Sequence, residues 1–183
     1  IMNYAVKYYK LRSNPCLAAG AIGKSSADEM NIWTREQFDY FLTFEKKSAY
    51  RMAFSLMFYG GLRSAEVLAI TPADILPDCS VSINKNFVVI KGEQYFQTPK
   101  TEKSKRVVNI PQSLYKELQD YVASMAIELD ERIFYFQKSG MRSEFKRATA
   151  RSGLPEIRIH DLRHSHASML TVSYTHLRAH ETR

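Results

Sequence analysis

Eleven residues late in the chain, His160 to Leu170 (HDLRHSHASML), hold three of its five histidines and an arginine. Imidazole and guanidinium groups support three kinds of chemistry: holding a metal ion, moving a proton near neutral pH, or gripping a phosphate. Helical geometry separates the candidates. At about 100° per residue, His160, Arg163, His164 and Ala167 share one side of a helix, and Leu162, His166 and Met169 share the other. His166, among apolar positions, reads as a core or helix-interface histidine. His160 and His164 have the i,i+4 spacing of metal-binding helices. However, Asp161 stands where a zinc-protease helix needs glutamate, no third ligand is evident, and Arg163 would repel the cation. A phosphate suits both residues. Arg163 offers a planar fork of donors, and His160, one turn earlier on the same face, can bond a phosphoryl oxygen or transfer a proton. A solvated helix face that happens to carry these side chains is the alternative at this point.

These side chains need elements to position them. The first dozen residues, IMNYAVKYYKLR, have Tyr4, Val6, Tyr8 and Leu11 at roughly helical spacing, and SNPCLAAGAIGKSSADEM then reads as a linker. From Trp33 the signals strengthen: Thr34 can cap a helix with Phe38, Phe41 and Leu42 on one side. A second helix carries Ala53, Leu56, Met57 and Phe58 into Gly60-Gly61, where the backbone can leave the helix, and Ser64 can cap the next one. Arg63 thus falls at a break between helices. The runs SVSI, FVVI, QYFQ and RVVNI, separated by KGE and KTEKSK, suggest one small antiparallel sheet of three or four strands. Leu114, Leu118, Tyr121, Val122, Met125 and Leu129 then form an apolar helical stripe. An IFYF run and a further helix, RSEFKRATARSG, follow it. The expected fold class is α+β, mainly helical, with a small antiparallel sheet.

Composition narrows the function. The chain has 183 residues, 45% hydrophobic and 25% charged, enough for an ordinary core and against disorder. Twenty-six Lys+Arg against 19 Asp+Glu give a net charge of +7, which favours an anionic partner such as nucleic acid. Cys16 and Cys79 lack metal-ligand spacing and read as reduced thiols. No secretory leader and no membrane-length apolar run are evident, so a cytoplasmic location is expected.

Three motifs in order, GGLRSAEVLAI, TPKTEKSKRVVNIP and HDLRHSHASML, resemble the catalytic domain of tyrosine recombinases, the integrase family of phages and conjugative transposons. The resemblance runs from about Trp33 to Leu170. It implies that Arg63 and Arg163 clamp the scissile phosphate, where fixed guanidiniums stabilise the charge that grows on the non-bridging oxygens during attack. Glu66 matches the family's acidic position and is expected to support Arg63 rather than act as a base. Lys100 resembles the lysine that protonates the departing 5′-oxygen, and His160 the histidine that assists proton transfer or bonds the phosphate. Lys103, Lys105 and Arg106 crowd the same loop and are expected to touch DNA phosphates. The resemblance implies strand cleavage and rejoining through a 3′-phosphotyrosyl intermediate, with no metal or other cofactor. The partner would be double-stranded DNA, with a homotetramer of the full-length parent on paired DNA sites. Two competing readings are a non-enzymatic DNA-binding regulator and a metal-dependent phosphodiesterase.

The family's second histidine or tryptophan, and its tyrosine nucleophile, have no evident match. Tyr174 lies only eleven residues after Arg163, closer than the family's nucleophile, and is not assigned. Instead VSYTHLRAHET resembles the conceptual translation of the mosaic end and adaptor of transposase-made sequencing libraries. The expected organisation is therefore residues 1–14 as the end of a core-binding-domain helix and 15–32 as a linker. Residues 33–171 would be a C-terminally truncated catalytic domain, and 172–183 a non-native, adaptor-derived tail. Such a fragment is expected to bind DNA without cutting it.

Overall fold

A computed structural model describes residues 1–19, 31–97 and 105–181, with side chains as far as Thr171. The chain divides into two compact units, Ile1–Met30 and Asn31–Arg183. In the first, helix α1 (Met2–Tyr8) and the short α2 (Pro15–Ala19) are linked by a hydrogen bond from Asn14 Nδ2 to Asn3 Oδ1, 2.7 Å.

The core of the second unit begins at Trp33, which is buried between Phe41 and Phe145 at ring-centroid distances of 5.0 and 5.6 Å. Helix α3 (Arg35–Leu42) opens with a reciprocal cap. Thr34 Oγ1 accepts from the Gln37 N–H, and Gln37 Oε1 accepts from the Thr34 N–H, so two otherwise orphaned donors are satisfied. Helix α4 (Ser48–Tyr59) is buried continuously from Met52 to Phe58 and forms the centre of the core. Its Phe58 stacks on Phe38 at 4.0 Å, and burial of each such ring stabilises the fold by about 1.5–3 kcal/mol. Helix α5 (Ser64–Val67) follows the glycine break. Arg63 occupies its cap position, one residue earlier than the Ser64 cap expected from the sequence, because the Glu66 carboxylate reaches back to the Arg63 N–H.

After a single 3₁₀ turn (Pro72–Asp74) come β1 (Ile75–Leu76), β2 (Ser80–Ile83), β3 (Asn86–Ile90), β4 (Glu93–Gln97) and β5 (Arg106–Asn109). They form two sheets rather than the one expected. β1, β2 and β5 make an antiparallel sheet in that order, with Val81 opposite Val108, whereas β3 and β4 pair only with each other among the described residues. Lys91 and Gly92, both at positive φ, turn the β3–β4 hairpin.

Helix α6 (Gln112–Met125) buries Leu114 and Leu118 but stops at Ala126, which is left-handed. Met125 and Leu129 are consequently exposed, not part of a continuous stripe. Ile133 and Phe134 of the IFYF run fill the core from an irregular segment. Helix α7 (Lys138–Ser152) starts four residues before the expected stretch, and α8 (Asp161–Glu181) packs on α4. Ser165 ties α8 to the start of the unit: its Oγ accepts from the Trp33 N–H and donates to the Asp161 carbonyl. No helix among the described residues is long and apolar enough to cross a membrane.

Candidate active site

The site is built where the C-terminal end of α4 meets the start of α8. Gly60 closes α4 with its N–H on the Leu56 carbonyl, and a Cβ there would lie 2.9 Å from that same oxygen. Gly61 adopts φ +62°, and a Cβ would lie 2.6 Å from the His166 ring. Both positions require the missing side chain. His166 Nδ1 donates to the Phe58 carbonyl at 2.8 Å, which makes it the helix-interface residue its apolar neighbours imply; burial lowers its pKa. One turn earlier, Arg163 Nη1 donates to the Gly61 carbonyl. Two α8 side chains thus clasp the bend that aims Arg63.

Glu66 is 4% exposed and accepts four hydrogen bonds. Arg63 supplies its backbone N–H to Oε2 at 2.7 Å and Nη1 to Oε1 at 2.9 Å. Arg106, the first residue of β5, supplies Nη1 to Oε1 at 3.0 Å and Nη2 to Oε2 at 2.8 Å. Burial pushes the Glu66 carboxyl up. The bonds from Arg106 and from the Arg63 N–H outweigh that and hold it below the ordinary carboxylate range. The carboxylate therefore stays charged among the cations.

Arg163 is half-buried. Its pKa is lowered first by burial and then by the positive charges of Arg63 and Arg106, with Glu66 opposing. A guanidinium remains protonated under any such shift, so three cations gather around one carboxylate. His160 immediately precedes α8, and its ring meets His164 edge-on at 5.1 Å. Its pKa is lowered by burial, then by His164 and Arg163, and also by Arg63, while Asp161 raises it. A lowered pKa keeps the imidazole neutral near pH 7, able to accept or donate a hydrogen bond. Asp161 itself is buried against Arg158 in a bidentate contact at 2.9 and 3.1 Å.

Arg63, Glu66, Arg106, His160 and Arg163 are therefore brought into one electrostatic neighbourhood from three segments of the chain. Lys105 is exposed beside β5, whereas Lys100 and Lys103 lie outside the described residues. The bidentate Arg106–Glu66 contact and the Gly61 carbonyl as the anchor of Arg163 had no local sequence signal, since each joins residues 40 or more positions apart. Among the described residues, no three His, Cys, Asp or Glu side chains are grouped to hold a metal ion.

Comparison with known proteins places the fold and the family. The chain is 28% identical to the ICEBs1 integrase of Bacillus subtilis over 187 residues, covering 93% of this chain and 50% of that protein. It is 26% identical to the integrase of Mycobacterium phage L5, covering 89% of this chain and 46% of that protein. It thus spans about half the length of these relatives. Among solved structures, the Tn1549 transposon integrase in complex with circular intermediate DNA superposes with a TM-score of 0.73 at 17% identity, covering 94% of this chain and 64% of that one. The XerH site-specific recombinase bound to its difH substrate superposes at 0.58 and 18% identity, covering 83% and 46%. The profile of the phage integrase family matches residues 33–180, and with the fold shared at this level the chain belongs to that family of tyrosine recombinases.

Proposed function

We propose that this chain is the phosphate-activating part of a site-specific DNA recombinase. In the parent protein a tyrosine oxygen attacks the scissile phosphorus, forming a 3′-phosphotyrosyl bond as the bond to the 5′-oxygen breaks. Rejoining reverses the step, and the phosphotyrosyl bond conserves the energy, so no nucleotide or metal is needed. Arg63 and Arg163 bind the non-bridging oxygens, on which negative charge grows in the transition state. His160 hydrogen-bonds the same phosphoryl group, Lys100 protonates the leaving 5′-oxygen, and Glu66 supports Arg63. Lys103, Lys105 and Arg106 add positive charge where DNA approaches. The full-length parent assembles as a homotetramer on two DNA sites.

The single observation that carries this reading is that Arg163 Nη1 donates to the Gly61 carbonyl, which brings Arg163, and His160 three residues before it, to the bend that carries Arg63. Cations held this close repel one another, an arrangement that an incoming phosphate relieves. The net charge of +7 also suits an anionic partner such as DNA.

The chain itself is expected to bind duplex DNA but not to cleave it, because no tyrosine in it is assigned as the family's nucleophile. A nicked suicide duplex, incubated with the protein and run on a denaturing gel, tests both parts. Retarded DNA on a native gel with no covalent adduct on the denaturing gel is the expected result. A covalent adduct would show that a nucleophile is present, and no retardation at low salt would remove the DNA-binding reading.

A further inference from the structure

We propose that Arg106 is a positioning residue for the phosphate clamp: its guanidinium grips both oxygens of Glu66, and through Glu66 it fixes Arg63. This rests on the recombinase reading above, but it assigns Arg106 a different task from touching DNA. The hydrogen-bond pattern is the reason. Glu66 has two oxygens, and each accepts one bond from Arg63 and one from Arg106, at 2.7–3.0 Å. Both Nη groups of Arg106 are turned inward onto the carboxylate, so its bidentate face is not presented to a phosphate. Its side chain is 27% exposed, against 53% for Arg63. The less exposed cation holds the carboxylate and the more exposed one is left to meet the ligand.

The Glu66–Arg63 contact alone would be an i,i+3 ion pair with its arginine half exposed, of a kind that holds the arginine's geometry poorly. Arg106 changes this by fixing the carboxylate in a second direction, from a different element. Arg63 then has one orientation to lose on binding rather than many, and this is how a supporting contact improves a clamp. The same link joins β5, which follows the Lys100 segment in sequence, to the bend that carries Arg63. A lysine at position 106 would keep the charge but could not bridge both Glu66 oxygens.

The test is a mutant cycle on DNA affinity, measured by fluorescence anisotropy with a mixed-sequence labelled duplex at several salt concentrations. Arg63→Ala is expected to weaken binding about tenfold, in line with loss of a phosphate contact. Arg106→Ala and Arg106→Lys should each weaken it by a similar factor, and the Arg63→Ala/Arg106→Ala double variant should bind no more weakly than Arg63→Ala alone. Near-normal affinity of Arg106→Lys, or a double variant about a hundredfold weaker, would identify Arg106 as an independent phosphate contact and overturn the proposal. Thermal unfolding without DNA identifies which variants are folded, and Arg106→Lys decides the matter if Arg106→Ala is not. A second readout is the His160 titration by NMR, since a loosened Arg63 depresses the imidazole less. A raised His160 pKa in Arg106→Lys supports the positioning role, and an unchanged one counts against it. Wild-type binding by Arg63→Ala would instead sink the recombinase reading itself, so the two failures are told apart.

Discussion

Glu66 accepts four hydrogen bonds from two arginines while only 4% exposed, so replacing it removes both an anion and an organising centre. Glu66→Gln would leave Arg63, Arg106 and Arg163 gathered without a counter-charge. Removal of one partner from a buried ion pair is costly because the other charge stays desolvated. Here Arg63 is half exposed, which screens part of the effect, and the expected loss is about 1–3 kcal/mol of stability. Urea unfolding at neutral pH measures it; an unchanged midpoint would mean that the cations relax into solvent at no cost. The resemblance singled out Glu66, and its place three residues after Arg63 in a first helical turn is a local pattern. Arg106 looked like one more cation in a basic loop, because nothing within ten residues of it shows that a carboxylate 40 positions earlier is waiting.

At the scale of elements, the α4–α5 bend was legible because glycine pairs interrupt an otherwise apolar helix, and the structure adds the reason that glycine is needed. A side chain at 61 meets both a left-handed backbone and the His166 ring. Gly61→Ala therefore carries two separable penalties. Left-handed backbone costs an alanine about 1 kcal/mol, and the steric conflict adds about 1–3 kcal/mol. In a His166→Ala background only the first penalty should remain, so the two substitutions are expected to be non-additive in chemical denaturation. Equal cost of Gly61→Ala in both backgrounds would show that the ring gives way freely. The division of the strands into two sheets was less legible. β4 is exposed at all five positions, and a strand without an inward face has no alternation by which to read which neighbour it joins. The α6 stripe was over-read for a related reason, since Met125 and Leu129 match helical spacing but the chain leaves the helix at Ala126.

For the whole molecule, acid stability depends on a second charged cluster far along α4 from the bend. Glu144 of α7 is 3% exposed and is bonded by Arg147, by Lys47 at 2.8 Å and by Arg151 at 3.3 Å, so it ties α7 to the segment before α4. The bonds from Arg147 and Lys47 hold its carboxyl down at about 2, against 4.5 for an unperturbed glutamate. Its contribution to stability is therefore complete above about pH 4.5 and is lost as the pH falls through about 2. The difference is worth at most about 3 kcal/mol, less whatever solvent screening of the exposed cations removes. Glu45, beside it, acts in the opposite sense. Burial raises its pKa, against the Lys47 N–H that lowers it, and its Oε2 has no hydrogen-bond partner. Keeping it ionised costs stability at neutral pH, and protonation on acidification returns some of that. Glu144→Gln should lower the urea midpoint at about pH 7 and flatten its decline toward about pH 3, while Glu45→Gln should raise the midpoint at about pH 7 and steepen the decline. Opposite slopes in the two variants are the signature of one carboxylate held by cations and another confined without a full set of partners. Parallel slopes would mean that both residues titrate as ordinary surface glutamates.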